Sequence, residues 1–412
     1  MNVVTKVASV VGMLLLSNVA AAAEYEAPTD RSANDILWPA AVKGQYYRIQ
    51  DAVPTDGYTD RWTLKSDFGD FDVVGDGALR KLLGEINAIA ELKKVSKTKE
   101  FVKGLGGAAK APLSFVKSLA MHPVDTVTGI PKGAYAIVET AAASATNTRD
   151  TGQDSRAAEL LKMSSFKRDL AARLDVDVYS SNKVLQKEMN GVAWAATAGD
   201  WAFSVAMLPA GVGGTVVSNV RLTNSVKDVV KQEPPARLRI INDEKLEKMG
   251  ITEDLRKSFL DHKGFTPSQK TLIVLNLEAL GGVAGRDAFL TLTLGAQDEA
   301  EANLYTAMVQ MLRGYHETVS PLVQIAPLNR LTVTQTKAGA ALVAAPLDQL
   351  IWTERVDRVT GQLRTSYKAD GFTGRFELWL TGTASPVARQ ELEQRGFTVT
   401  DRAGTRVEVL DW

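Results

Sequence analysis

The spacing of hydrophobic positions changes along the chain, and each change predicts a different element. An uncharged apolar core runs from Val7 to about Ala20 and ends in small residues. Lys6 is the only charge before Glu24. This is the shape of an export signal, with Ala21 and Ala23 supplying the small-x-small step for cleavage after Ala23. The run is marginal for a membrane span and lacks a basic stop-transfer flank. Residues 1–23 are therefore expected to be a cleaved signal peptide. A periplasmic or secreted location is expected for the mature chain.

Residues 24–78 carry short aromatic or β-branched runs, YYRIQ, RWTLK and FDVV, separated by Pro54, Gly57 and Gly69. They predict a small β module. From Ala78 the period becomes helical, with Leu79, Leu82, Leu83, Ile86, Ile89 and Leu92 on one face. Residues 79–230 read as a Gly/Ala-rich helical domain. Pro112, Pro123 and Pro131 break its first half into short helices. Arg156 to Leu174 predicts a helix, and Asn182 is placed to cap another beginning near Val184.

KQEPPAR at 231–237 is the best candidate boundary, and residues 231–265 read as a linker with short helices. One of these is expected to start at Asn242 and stop at Gly250; Thr252 opens the next. Residues 266–412 read as a helical pair followed by a small α/β or β-meander domain. Thr266-Pro267-Ser268-Gln269 is a capping box with proline at the first helical position. LVQIA, LTVTQT and ALVAA predict strands. RFELWLTG, SPVARQELEQRG and FTVT predict strand–helix–strand, and TRVEVL a last strand. The class is α+β: a predominantly helical middle between a small N-terminal β module and a C-terminal α/β or meander domain.

Charge sharpens this picture. The 412 residues balance 48 basic against 48 acidic side chains. The balance hides a segregation. Residues 24–79 hold 11 acidic against five basic side chains, and residues 80–117 hold nine basic against three acidic. Either the two blocks neutralise each other or the basic block faces an anionic partner. The zero net charge argues against nucleic acid, whose phosphates call for a basic excess. With no cysteine in the chain, disulfides, thiolate metal sites and cysteine nucleophiles are excluded.

Candidate chemistry is thin. His122, His262 and His316 lie at turns or helix ends, outside any metal-binding spacing. No G-x-S-x-G or P-loop occurs, and GLGG at 104–107 fails the dinucleotide pattern. No cofactor and no metal site is implied. The one catalytic option is a carboxylate group: Asp67, Asp70, Asp72 and Asp76 lie within ten residues, interleaved with glycines. Their spacing lacks the EF-hand run. A charged hairpin with solvated aspartates is the competing reading.

The Gly/Ala-rich segments 104–145 and 191–220 are the most distinctive feature. Small residues at Gly191, Ala195 and Gly199 would permit close helix approach, in a core or in a membrane. Candidate binding residues are Lys93, Lys94, Lys97, Lys99 and Lys103 of the basic block, with Trp194 and Trp201. The expectation is a non-enzymatic envelope protein that binds a protein partner or an anionic membrane surface. The alternative is a carboxylate-based hydrolase, with or without a divalent cation. LTGTASPVARQELEQRGFTV, about 20 residues, resembles the strand–helix–strand elements of small envelope domains. The ligand-recognising residues of peptidoglycan-binding domains of that shape are not visible in it, so it implies no site residue.

Overall fold

The computed structural model describes residues 24–98, 101, 152–198, 205, 208–210 and 228–409. Their fold is α+β. The N-terminal module begins with β1 (Arg31–Ser32), α1 (Ala33–Ile36) and α2 (Pro39–Val42). It continues through β2 (Tyr47–Ile49), β3 (Ala52–Val53), β4 (Arg61–Ser66) and β5 (Gly69–Val74). β2, β4 and β5 form an antiparallel sheet, while β1 pairs with β3. Alternation decides the faces: Trp62 and Leu64 are buried between the exposed Arg61 and Lys65. These two side chains meet Leu79, Leu82 and Ile86 of α3 (Asp76–Ser96) in the module's own core.

In the helical region α5 (Lys183–Ala198) packs against both α3 and α4 (Gly152–Leu174), followed by α6 (Pro235–Lys248), α7 (Glu253–Asp261) and α8 (Pro267–Ala279). α9 (Arg286–Thr293) and α10 (Glu299–Thr318) complete it. Most caps read from sequence form their bonds, while Thr252 sits at the N-cap of α7 without a side-chain hydrogen bond. Asn182 Oδ1 accepts from the amides of Val184 and Leu185, and both bonds of the Thr266–Gln269 capping box are formed. Pro234 occupies the N-cap position of α6, and one hydrophobic cluster runs through Leu185, Leu238 and Leu272 to Trp379. One expectation is corrected: Asn242 does not start a helix. It lies buried inside α6 and donates to Thr271 Oγ1.

The C-terminal sheet has five strands in the order β12-β10-β8-β7-β6. β6 (Leu322–Leu328), β7 (Leu331–Thr336) and β8 (Ala341–Ala345) form the expected antiparallel meander. β10 (Phe376–Leu380) lies parallel to β8 and to β12 (Phe397–Thr400). The connections of these parallel strands carry α11 (Glu354–Ala369) and α12 (Pro386–Gln394). Every residue of β8 and β10 is buried, as suits strands covered on both faces. Ala341, Val343 and Ala345 join Leu363, Leu392 and Phe376 on one face; Leu342 and Ala344 join Tyr315 and Trp379 on the other.

Residues 403–409 overturn the last expected strand. Ala403–Thr405 is a 3-10 turn, and the buried Val407 presses on Gly314 of α10. A Cβ on Gly314 would stand 2.4 Å from that of Val407, so the glycine is needed for this close approach.

Candidate functional site

Two clusters of ionisable side chains are withdrawn from water. The first joins the N-terminal module to the C-terminal sheet. A short connection leads from β8 through Asp348 to β9 (Gln349–Leu350), at the carboxyl end of a parallel strand. In open α/β sheets that end is where ligands bind. The turn between β3 and β4 docks on it. Asp348 N–H donates to the Tyr58 carbonyl at 2.9 Å, and Gln349 Nε2 donates to Thr55 Oγ1 at 2.8 Å. Gly382 lies so close to the Asp348 backbone that any side chain there would collide.

Asp348 then reaches into the module. Its Oδ2 accepts from the Asp60 amide at 2.8 Å and its Oδ1 from the Asp76 amide at 3.0 Å. α3 begins after Gly75, which has no side chain to cap it. Asp348 therefore acts as a capping residue supplied by the other end of the chain. Oxygens of Asp60, Asp76 and Asp348 lie within 4.8 Å of one another. Asp60 is sealed from solvent, whereas Asp76 and Asp348 are half-buried.

Arg31 Nη1 donates to Asp60 Oδ2 at 2.5 Å, and Trp62 Nε1 to Asp76 Oδ1 at 3.1 Å. Asp60 Oδ1 is buried without a hydrogen-bond partner. The Thr55 hydroxyl, which also donates to the Thr59 carbonyl, acts with Arg31 to favour the charged form of Asp60. Burial pushes the Asp60 carboxyl up to about 6, against the opposing pull of Arg31. Burial and then the negative charge of Asp76 push Asp348 up to about 7.

The second cluster lies between α3, α4, α5 and α8. Lys81, Glu85 and Asp177 share it, with Lys167 at its edge. Glu85 accepts from Ser180 Oγ at 2.5 Å and Asn182 Nδ2 at 2.8 Å. Asp177 Oδ1 accepts from Ser268 Oγ at 2.5 Å and the Tyr179 amide at 2.9 Å. Burial raises both carboxyls, and their negative charges, with that of Glu299, hold Lys81 above its ordinary value despite burial. Lys167 donates to Gln186 Oε1 at 2.6 Å, and burial lowers it to about 8.

The candidates read from sequence fall in several places. Of the aspartate group, only Asp76 enters the triad. Asp67, Asp70 and Asp72 are exposed on the β4–β5 hairpin, where Asp72 accepts from Thr63. Asp60 and Asp348 were not among the candidates. No short-range pattern marks either one, and Asp348 is 272 positions from Asp76.

Lys93 pairs with Glu188 and lies over the Phe68 ring; Lys94 pairs with Glu91 and lies over Tyr46. These cations of α3 thus rest on the aromatics of the acidic module. Lys97 is exposed at the end of the helix. Trp194 is half-buried on α5. Ala195 is buried, while a Cβ on Gly191 would meet open space. Lys99, Lys103, Trp201, Gly199 and the segments 104–145 and 211–220 lie outside the described residues.

His262 Nδ1 accepts from the Gly264 amide and His316 Nδ1 from the Leu322 amide, so both act as local caps. Among the described residues no helix is long and apolar enough to cross a membrane. Compared with family models, curated proteins and solved structures, the chain matches none.

Proposed function

We propose that this is an exported cell-envelope protein that works by binding rather than by catalysis. Its basic, Gly/Ala-rich helical region would meet an anionic membrane surface or an acidic protein partner. The observation that carries the reading is the end of α3. Lys97 is exposed there, and Lys94 is also at the surface although it pairs with Glu91, at the point where the chain enters the Gly/Ala-rich segment. A cluster of cations beside apolar sequence suits adsorption to an anionic surface. The leader supports export, because its apolar core and small-residue end fit a cleaved signal.

The burial pattern disfavours the hydrolase alternative. A catalytic carboxylate has to touch its substrate. Asp60 is sealed, both oxygens of Asp348 are engaged by backbone amides, and Asp67, Asp70 and Asp72 stand apart in solvent. Flotation of residues 24–412 with vesicles tests the proposal. Anionic vesicles at low salt should carry the protein, neutral ones should not, and K94E/K97E should weaken the binding. Absence of flotation removes the membrane version. Capture of an acidic partner that K94E/K97E releases would support the protein version.

A further inference from the structure

Beyond the end of β8, β9 pairs in parallel with β11 (Thr383–Ala384), and two irregular segments lie on the connections that follow. One is a strap, residues 24–30, and the other is the β3–β4 turn, residues 54–60. The strap is exposed throughout except at Glu26, which is half-buried. Three hydrogen bonds meet on that residue. Its amide donates to the Trp352 carbonyl at 2.7 Å. Its Oε2 accepts from the Trp352 amide and from Ser385 Oγ, both at 2.6 Å. Ser385 is the N-cap of α12, where the helix dipole favours a carboxylate. Tyr25 Oη adds an exposed bond to Asp357 at 2.9 Å. The turn is held one residue earlier. Ile351 N–H donates to the Gly57 carbonyl at 3.3 Å, and Tyr58 Oη is 2.8 Å from Thr353 Oγ1. A Cβ on Gly57 would stand 2.6 Å from Ile351 and 3.5 Å from Pro28 of the strap. Strap and turn therefore touch each other as well as the connection after β9.

We propose that the strap and the turn form a lid over the carboxyl end of the parallel strands, with Glu26 as the clasp that holds it shut. Ile351 and Trp352 are consecutive, so lifting Glu26 from Trp352 loosens the residue that holds the turn. The lid can open without unfolding what lies beside it. The module's own core, from Ala33 to Ile86, draws on neither segment. Tyr58 packs instead on the C-terminal cluster, and the other fastenings named are mainly hydrogen bonds. Segments with few buried apolar contacts are the ones that open locally at small cost. Beneath the lid lie Asp348, Gln349 and Ser385. They stand at the end of the sheet where α/β folds take ligands, so the clasp governs access to it.

Hydrogen exchange of the intact chain 24–412, read by mass spectrometry of its peptides, tests the lid. E26A removes the side-chain clasp from a residue outside every core cluster, so the fold should survive. It should speed exchange in 346–353 and in 54–60 together, by about tenfold or more, as loss of hydrogen bonds to a carboxylate implies. Exchange in β5 and in α8 should stay as it is. E26Q keeps an acceptor oxygen without the charge and should fall between wild type and E26A. Y25F removes only the exposed bond to Asp357 and should change little. The turn decides the matter, since Glu26 makes no hydrogen bond to it among those described. An E26A chain in which 24–30 and 346–353 exchange faster while 54–60 keeps its rate has a loose tail and no lid, and overturns the proposal. Equal acceleration in α8 overturns it too, because the whole fold has then been weakened. So does an E26A chain that exchanges like wild type.

Discussion

The two buried clusters solve one electrostatic problem in opposite ways. Around Lys81 the chain brings its own countercharges: two lysines face Glu85 and Asp177, and hydroxyl, amide and backbone donors fill most of the remaining acceptor positions. Around Asp348 carboxylates from three pieces of chain meet: Arg31 pairs with Asp60, and backbone amides of Asp60 and Asp76 donate to Asp348. The first cluster ties helices to one another. The second sits on the seam between the β module and the C-terminal sheet. Each leaves one buried carboxylate oxygen without a hydrogen-bond partner, Asp177 Oδ2 in the first and Asp60 Oδ1 in the second, so the contrast lies in what faces the carboxylates: buried lysines in one, backbone amides and a guanidinium in the other.

The largest effect should come from breaking the Lys81 cluster. K81M leaves Glu85 and Asp177 buried without their ammonium, at a cost of ~3–5 kcal/mol. Urea unfolding at neutral pH measures it. A loss of under ~1 kcal/mol would mean that the carboxylates are protonated and that the balance is not ionic.

R31M attacks the other cluster and should depend on pH. A carboxyl whose folded value is raised holds its proton longer in the folded chain than in the unfolded one. Its contribution is fully present at low pH and is lost as pH climbs through the folded value. For Asp60 and Asp348 that window runs from about 4 to about 7. Wild-type stability should fall across it. R31M should cost ~2–3 kcal/mol at pH 8 and much less at pH 5, where Asp60 is protonated anyway. Equal losses at both values would show that Arg31 contributes packing rather than charge.

S180A removes one charge-assisted donor from Glu85 and should cost about 1–2 kcal/mol in the same unfolding assay. The smallest effect is a slope. The folded value of Lys167 is lowered to about 8, so its buried amine favours the neutral form. Its contribution should improve stability as pH rises from about 8 to about 10.5, by at most ~1.4 kcal/mol per pH unit. K167M should flatten that rise in a pH series of thermal melts.

How far the sequence could be read follows from the range of each signal. Thr266 and Gln269, Ser385, and Asn182 are legible because cap and helix lie within three residues. The meander strands are legible through composition and turn spacing. The start of α3 carries no local cap, because Gly75 offers none and the acceptor is Asp348. The same distance hid two thirds of the triad. TRVEVL misled for the converse reason. Its alternation is that of a strand, yet Val407 finds burial in the notch at Gly314 and needs no neighbouring strand. Periodicity reports which side chains want burial, not which surface supplies it.

The cap on α3 also bears on the order of folding. The amides of Asp60 and Asp76 find their acceptor only after a further 288 and 272 residues have been made. Closing so wide a loop is slow, since its entropy is lost before the contact is gained. The first module to be synthesised is therefore among the last to be finished. Until Asp348 arrives, the helix that opens the helical region begins on bare amides. A nascent chain halted before that point would leave the start of α3 and the β3–β4 turn without the partner that Asp348 brings.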